Sequence, residues 1–506
     1  MEISKGSAST NYLLPSLKSQ VNVGGKISTE GEVEKILCSY ANVFNTAVEC
    51  NGSDATVKGR VVFKVVYKTT AGEIRSDEAT TEFTEKHTVG NGEQAVNAFS
   101  HLMVLDVAAN TNSNGEISCS AMVESVCSVV VAQNCEFIES VDSSCCSQNS
   151  EVVVNNVVNS FNNTFNIEED YSLAKNILSV LSVCSKVNVS DVVAGADFVK
   201  ISGTVSTNVV CEIDAGEKKK IENTIYDSNF SQKIPVLGAL GGNTAVANVC
   251  ISNVKTSATA EGESATLSVT VDLTASGFLI VERTINHIAD MFSFTHNTSD
   301  EYTDITASNI FVDGSIVDLD GNITLEANAP FATEISGIAS CDAIVTSVLA
   351  GDDSVVVEGI LKTNIFYNSD ENALHSASVD VPFSRQVVLN GVKANNDVTV
   401  KASILKVEAR VKRGKEILVD CKVGLEVKAV NNARHRVLSN VVAGDEKVND
   451  SSAIVVYIVK DGEKLWDIAK KLNTGLNVLR EQNHGIDENL NAGYKVMLYK
   501  KAIVNL

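Results

Sequence analysis

Proline is scarce in this chain, with four residues in 506, and nothing like a proline-rich linker or recognition segment is present. Aromatic residues make up only 5% and tryptophan occurs once, so any core has to be filled by branched aliphatic side chains rather than by rings. No apolar run reaches 18 residues, and the opening Met-Glu-Ile-Ser-Lys-Gly-Ser-Ala-Ser-Thr has no apolar signal region. A cytosolic protein without direct membrane insertion is therefore expected. Positive charge is also in short supply: 41 Lys and Arg face 63 Asp and Glu, a formal charge of −22, which argues against a free-standing nucleic-acid binder.

The usual marks of catalysis are missing as well. The seven histidines form no His-Glu-x-x-His or other metal-ligand spacing and read as scattered surface residues. There is no Gly-x-Ser-x-Gly elbow, Gly24-Gly25-Lys26 lacks the upstream glycine of a phosphate loop, and Gly238-Ala-Leu-Gly-Gly-Asn-Thr244 lacks its lysine. Carboxylates are plentiful, but nothing singles out an acid/base pair. No enzyme, cofactor or metal is expected. The twelve cysteines include the adjacent Cys145-Cys146 but no Cys-x-x-Cys, a pattern of buried free thiols rather than a disulfide framework.

What is present is β-structure built on valine, threonine, serine and asparagine. At 506 residues the chain is too long for one core, and it repeats. Three segments centre on a glycine, Ala55 to Tyr67 on Gly59, Val199 to Cys211 on Gly203, and Val355 to Tyr367 on Gly359. Even offsets from each glycine are apolar (Val57, Val61, Val65; Ile201, Val205, Val209; Val357, Leu361, Ile365), while odd offsets carry Lys58, Lys64, Lys200, Ser206, Glu358 and Lys362. That is a half-buried antiparallel strand, and a glycine at one inward position in every copy predicts a bulge or a close backbone approach. Phe83 and Val89, Phe230 and Val236, and Phe383 and Leu389 keep one spacing downstream, and a further hairpin follows with its turn at Gly115, Gly262 or Gly414. Cys38, Cys184 and Cys341, each preceding its central strand, read as core thiols.

The division expected is a loosely held lead-in at 1–30, then repeats at 31–150, 151–285 and 286–435, the last two with connectors. Within the connectors, Leu173 to Leu181 has helical spacing, and Val312-Asp313-Gly314 with Asp320-Gly321-Asn322 suggests a separate hairpin. A polar linker at 436–453 leads to a final module at 454–501, which holds eight basic and six acidic residues and leaves −24 for the rest of the chain.

In that module Val455, Tyr457 and Val459 alternate as a strand does, and Leu465, Ile468, Ala469 and Leu472 form a helical stripe. Val478, Leu479 and Gln482 continue on a second helix before a closing strand. With Gly462, Asn483, Leu490 and Gly493, this βααβ order resembles the LysM family of small carbohydrate-binding modules. The resemblance implies a shallow groove for N-acetylglucosamine-containing chains, formed by Gly462, Glu463, Lys464, Leu465 and Trp466 on one side and Asn483, Gly485 and Ile486 on the other. Two departures stand out. Gly462-Glu463-Lys464 replaces the family's Gly-Asp-Ser/Thr, putting a long ammonium side chain where a sugar would pass or an acidic protein would meet it, and Leu498-Tyr499 replaces Ile-Pro. Lys464 is either a groove contact or a solvated side chain, and Trp466 either anchors a partner or caps the module's own core.

Three glycine-centred β-units followed by one LysM module resemble the SPOCS-domain proteins of spore-forming Firmicutes. The fold class expected is mainly β, with three SPOCS-like antiparallel domains and a small LysM domain. The resemblance implies a non-enzymatic scaffold in the mother-cell cytosol, recruiting spore coat to the forespore by docking its LysM module onto the morphogenetic ATPase of the coat basement. The alternative is a peptidoglycan-binding protein of the cell wall or spore cortex.

Overall fold

Period-two alternation around Gly59, Gly203 and Gly359 makes each segment the middle strand of a three-stranded antiparallel sheet, in a computed structural model that describes residues 1–500 apart from 91–92, 113–114, 174–175, 215, 217–218, 262–263, 372 and 448–453. In the first unit β3 (Val33–Asn51), β4 (Asp54–Thr69) and β5 (Ile74–Thr88) form that sheet. It packs on a second sheet in which β7 (Ile117–Val141) lies between β6 (Gln94–Thr111) on one edge and β1 (Ile3–Leu13) with β2 (Leu17–Ile27) on the other. The second unit repeats the plan with β8 (Cys145–Leu173), β9 (Ile177–Gly195), β10 (Phe198–Asp214), β11 (Lys219–Pro235), β12 (Thr244–Glu261) and β13 (Ser264–Ser293). The third uses β14 (His296–Thr324), β15 (Ala332–Gly351), β16 (Ser354–Ser369), β17 (Leu374–Val388), β18 (Asp397–Arg413) and β19 (Glu416–Glu446). The even-offset side chains named above are all buried between the sheets, and the cores are mostly aliphatic, as the shortage of rings requires.

The repeated glycine serves both purposes the sequence allows. Gly59 pairs with Phe83, Gly203 with Phe230 and Gly359 with Phe383 across the sheet, and each phenylalanine ring lies over its glycine. A Cβ would come within 2.4 Å of the Phe83 ring at Gly59, 2.3 Å of the Asn188 carbonyl oxygen at Gly203 and 2.3 Å of the Phe383 ring at Gly359. On the other edge the register skips one residue beside each glycine, at Thr46, Ser190 and Thr346, so a bulge bends every copy at the same place. Thr46 and Ser190 each donate a side-chain hydroxyl to the facing strand, to Lys58 O at 3.0 Å and Ser202 O at 3.1 Å.

The units close on one another instead of forming an open array. Arg60 of the first donates to Ser252 O of the second (2.9 Å), Lys186 of the second pairs with Asp342 of the third, and Lys362 of the third pairs with Asp106 of the first (3.0 Å). One shared apolar cluster joins Tyr40 and Val66 to Leu181 and Val210 and to Ala339 and Phe366. Beyond the sandwiches the second-sheet strands run on as three two-stranded ribbons that pack into a stalk. Its core takes Ala8 and Phe137 from the first unit, Val154 and Ile285 from the second, and Ile305 and Val437 from the third. The connector asparagines cross-link these ribbons: Asn156 Oδ1 accepts from Asn11 N at 2.7 Å, and Asn432 Nδ2 donates to Leu13 O at 2.8 Å.

Several expectations are corrected by this arrangement. The lead-in is β1 and β2, paired with β7 over nearly its whole length, so the first unit starts at the first residues of the chain. The second unit begins near Cys145 and ends at Ser293, which moves both later repeat boundaries. Leu173 and Leu181 lie in strands, because a spacing of four satisfies period two as well as a helix. The supposed hairpin of the third unit is continuous strand: β14 pairs with β19 through Gly314 and Gly321, and at Gly321 a Cβ would stand 2.4 Å from Val381. Most of the linker is the end of β19, while 448–453 lie outside the described residues, as does the turn at Gly262. His87 and His287 are buried rather than at the surface. Cys38, Cys184 and Cys341 are buried free thiols.

Candidate functional site: the terminal module on the stalk

The terminal module has the βααβ order its periodicity predicts: β20 (Ile454–Ile458), α1 (Leu465–Leu472), α2 (Leu476–Gln482) and β21 (Lys495–Tyr499), with β20 and β21 antiparallel. Asp467, at the third helical position, accepts from the backbone N–H of Lys464 at 2.9 Å and closes the start of α1. Lys470 and Lys471 sit in the last turn of α1, where their charge complements the negative end of the helix dipole. Leu465, Ile468, Ala469, Leu479, Val496 and Leu498 fill the core.

The expected groove residues separate into distinct roles. The two loops do adjoin, since Lys464 bridges to Asn489 and Leu465 N donates to Glu488 O at 3.1 Å. Gly462, Lys464 and Gly485 are exposed there and Ile486 is half-buried against the module core. Leu465 is fully buried and faces inward. Asn483 is a structural brace: its amide donates to Leu479 O (2.8 Å) and Met497 O (2.7 Å) and accepts from Met497 N (2.7 Å). Glu463 is also engaged, accepting from Tyr457 Oη at 2.9 Å, from Lys460 N at 2.8 Å and from Lys471. The Lys471 ammonium, followed by the Lys460 amide, draws the Glu463 carboxyl down to about 2.

Trp466 is neither free for a partner nor confined to its own module. Its ring packs on Phe292 of the stalk, centroids 5.5 Å apart, and Nε1 donates to Asp290 Oδ2 at 2.6 Å. Lys470 pairs with the same carboxylate at 2.8 Å and reaches Asp300 at 3.5 Å. Asn473 Nδ2 donates to Phe294 O at 2.7 Å while its Oδ1 accepts from Lys447 at 2.8 Å. Burial, and then the nearby Lys470 charge, push the Lys447 ammonium below its usual value. One face of α1 is thus clasped to the stalk tip.

The sheet of the module is open on the other side. Val455, Tyr457 and Val459 face in, but the alternating residues Ile454, Val456 and Ile458 are apolar too and are 58%, 51% and 59% exposed. Across the sheet Tyr499 pairs with Ile454 and is 48% exposed. The signal for this patch was in the sequence, as a strand apolar on both faces.

Among the described residues no group of three or more His, Cys, Asp or Glu is placed to hold a metal ion, and no helix is long and apolar enough to cross a membrane. Residues 334–412, from β15 to β18 of the third unit, match the family described as SipL, SPOCS domain, and residues 457–496 match the LysM domain family. No curated protein and no solved structure matches the chain. Both matched domains are of binding or scaffold type, and together they fit a sporulation protein with a peptidoglycan-binding module. A SipL-type SPOCS domain in the third unit, joined to a LysM domain clasped on the stalk, is therefore what this chain carries.

Proposed function

We propose that the chain is a non-enzymatic scaffold of spore coat assembly, acting in the mother-cell cytosol at the forespore surface and docking through its LysM module onto the coat-basement ATPase. The observation that carries this reading is the exposed apolar sheet face of Ile454, Val456, Ile458 and Tyr499. A glycan groove has no use for such a face, whereas a protein interface is built around one. The clasp to the stalk supports the same role, because it holds the module in one orientation and lowers the ordering cost of docking. Burial of Trp466 and Leu465 leaves neither side chain free for a partner, which favours the sheet face over the groove in this reading.

A fluorescent fusion followed through sporulation tests the proposal. It should collect at the forespore surface, and Val456→Glu with Ile458→Glu should leave it dispersed while the protein stays folded. A double variant that localises normally would remove the sheet face from the account.

A second reading, peptidoglycan binding, is favoured by Gly462, Lys464 and Gly485, which stay exposed where the two loops adjoin. Sedimentation of the full chain with purified peptidoglycan, sensitive to Gly485→Trp and indifferent to Val456→Glu, would select it over docking.

A further inference from the structure

The two edges of the LysM sheet are finished differently. Val459 N donates to Tyr494 O at 2.9 Å and Val459 O accepts from Gly493 N at 2.8 Å, so this residue turns both backbone groups toward the β21 side. Direction alternates along an antiparallel pair, and Tyr457 and Val455 therefore do the same, opposite Val496 and Leu498. Met497 and Tyr499 of β21 point the other way, where side-chain amides at the end of α2 cap them. Met497 exchanges two hydrogen bonds with Asn483, each of 2.7 Å, while Tyr499 N donates to Gln482 Oε1 at 2.7 Å and Tyr499 O accepts from Gln482 Nε2 at 3.1 Å. That edge is sealed.

The edge of β20 is not. By the same alternation Val456 and Ile458 turn their N–H and C=O groups outward, and among the described residues no other strand pairs with β20 and no side chain caps those groups. The strand carries no charge, proline or bulge of the kind that blunts an edge, and with Ile454, Val456 and Ile458 over half exposed it is apolar on both faces, as an inner strand is. Covering that face with side chains alone would leave the outward backbone groups dry and unpaired, whereas a strand laid along the edge pairs them. Lys495, opposite Ile458, is the one charged residue of the two strands, and the exposed Lys460 and Asp461 that follow β20 offset each other. In a module with eight basic and six acidic residues, this charge disfavours a second copy and favours an acidic segment.

We propose that β20 accepts an extended segment of the docking partner as a third strand, apolar on the side that continues the open face and acidic at the end beside Ile458. This rests on the docking reading above and adds to it how the partner is held.

Binding of the full chain to the purified coat-basement ATPase, with two substitutions at one position, tests the idea. Val456→Pro keeps an apolar side chain but removes the outward N–H, a group that the pairing with β21 does not use, whereas Val456→Ala keeps the N–H and trims the side chain. The proline variant should weaken binding about tenfold or more and the alanine variant less, with Trp466 emission unchanged in both. Residue-resolved hydrogen exchange of the wild-type complex reads the same point without a substitution, since the Val456 and Ile458 amides should slow about tenfold or more on binding. Folded proline and alanine variants that bind equally, or amides that exchange as fast as in the free chain, overturn the third strand; docking survives that result if Val456→Glu with Ile458→Glu still loses affinity. No binding by the wild type overturns the docking reading and this inference with it. A wild-type chain that dimerises by itself in sedimentation, with the dimer lost in Val456→Pro, gives the edge to a second copy and overturns the assignment to a partner.

Discussion

Replacing Asp290 by alanine should release the LysM module from the stalk without touching the module itself. Asp290 lies in the stalk, outside the module, and its carboxylate accepts both Trp466 Nε1 at 2.6 Å and Lys470 Nζ at 2.8 Å. A hydrogen bond to a charged acceptor contributes about 1.5–3 kcal/mol, and the substitution leaves a buried indole N–H unpaired. The Lys470 pair adds little, about 0–1 kcal/mol, because that lysine is 37% exposed and keeps Asp300 at 3.5 Å. The clasp should therefore weaken by about 2–3 kcal/mol, a factor of roughly 30–150. Trp466 is the chain's one tryptophan, so its emission reports the module and its contact with the stalk and not the three units. In a urea titration the tryptophan transition should move to lower urea by about 2 M, taking a slope near 1 kcal/mol/M for so small a module, while the β-sheet signal of the three units keeps its midpoint. An unchanged tryptophan midpoint would refute the clasp as described, and a shift of both signals together would show that module and units unfold as one.

Two further outcomes follow from the same geometry. Gly203→Ala should destabilise its unit by about 1–3 kcal/mol and lower its melting temperature, because a Cβ there meets the Asn188 carbonyl oxygen at 2.3 Å and backbone cannot give way as a side chain can. Gly24→Ala, where the nearest atom is 3.8 Å away, should be near neutral in the same melt. Glu463, whose carboxyl is drawn down to about 2, contributes stability that is fully present above the unfolded carboxylate range and lost as pH falls from about 4 toward 2. In Glu463→Gln the tryptophan emission should lose that acid-range dependence, and an unaltered pH profile would contradict the assignment.

The sandwiches were legible because their signals are local. Alternation, the glycine at one inward position and the downstream phenylalanine all lie within one unit, and Gly59 with Phe83 shows the last two signals to be a single cross-strand pair. Closure of the units was not legible, since Tyr40 meets Ser182 and Ser182 meets Ala339 across more than a hundred residues. One hint did exist. Val66, Val210 and Phe366 occupy the same outward position and are apolar in every copy, breaking the wet-face rule where the units meet. The lead-in was misread because small residues look like loop, whereas a Cβ on Gly6 would stand 2.7 Å from the Phe137 ring. In the LysM module the fold was legible and the site less so: periodicity places Leu465 and Trp466 on α1, but only the stalk decides which face they show.

Binding of the full chain to the purified coat-basement ATPase, measured for the wild type and for Val456→Glu with Ile458→Glu, tests the docking claim most directly. The sheet-face variant should lose about tenfold or more in affinity, since it places two charges in what would be an apolar contact. Wild-type affinity in a folded variant, or no binding by the wild type alongside saturable binding to peptidoglycan, would contradict it.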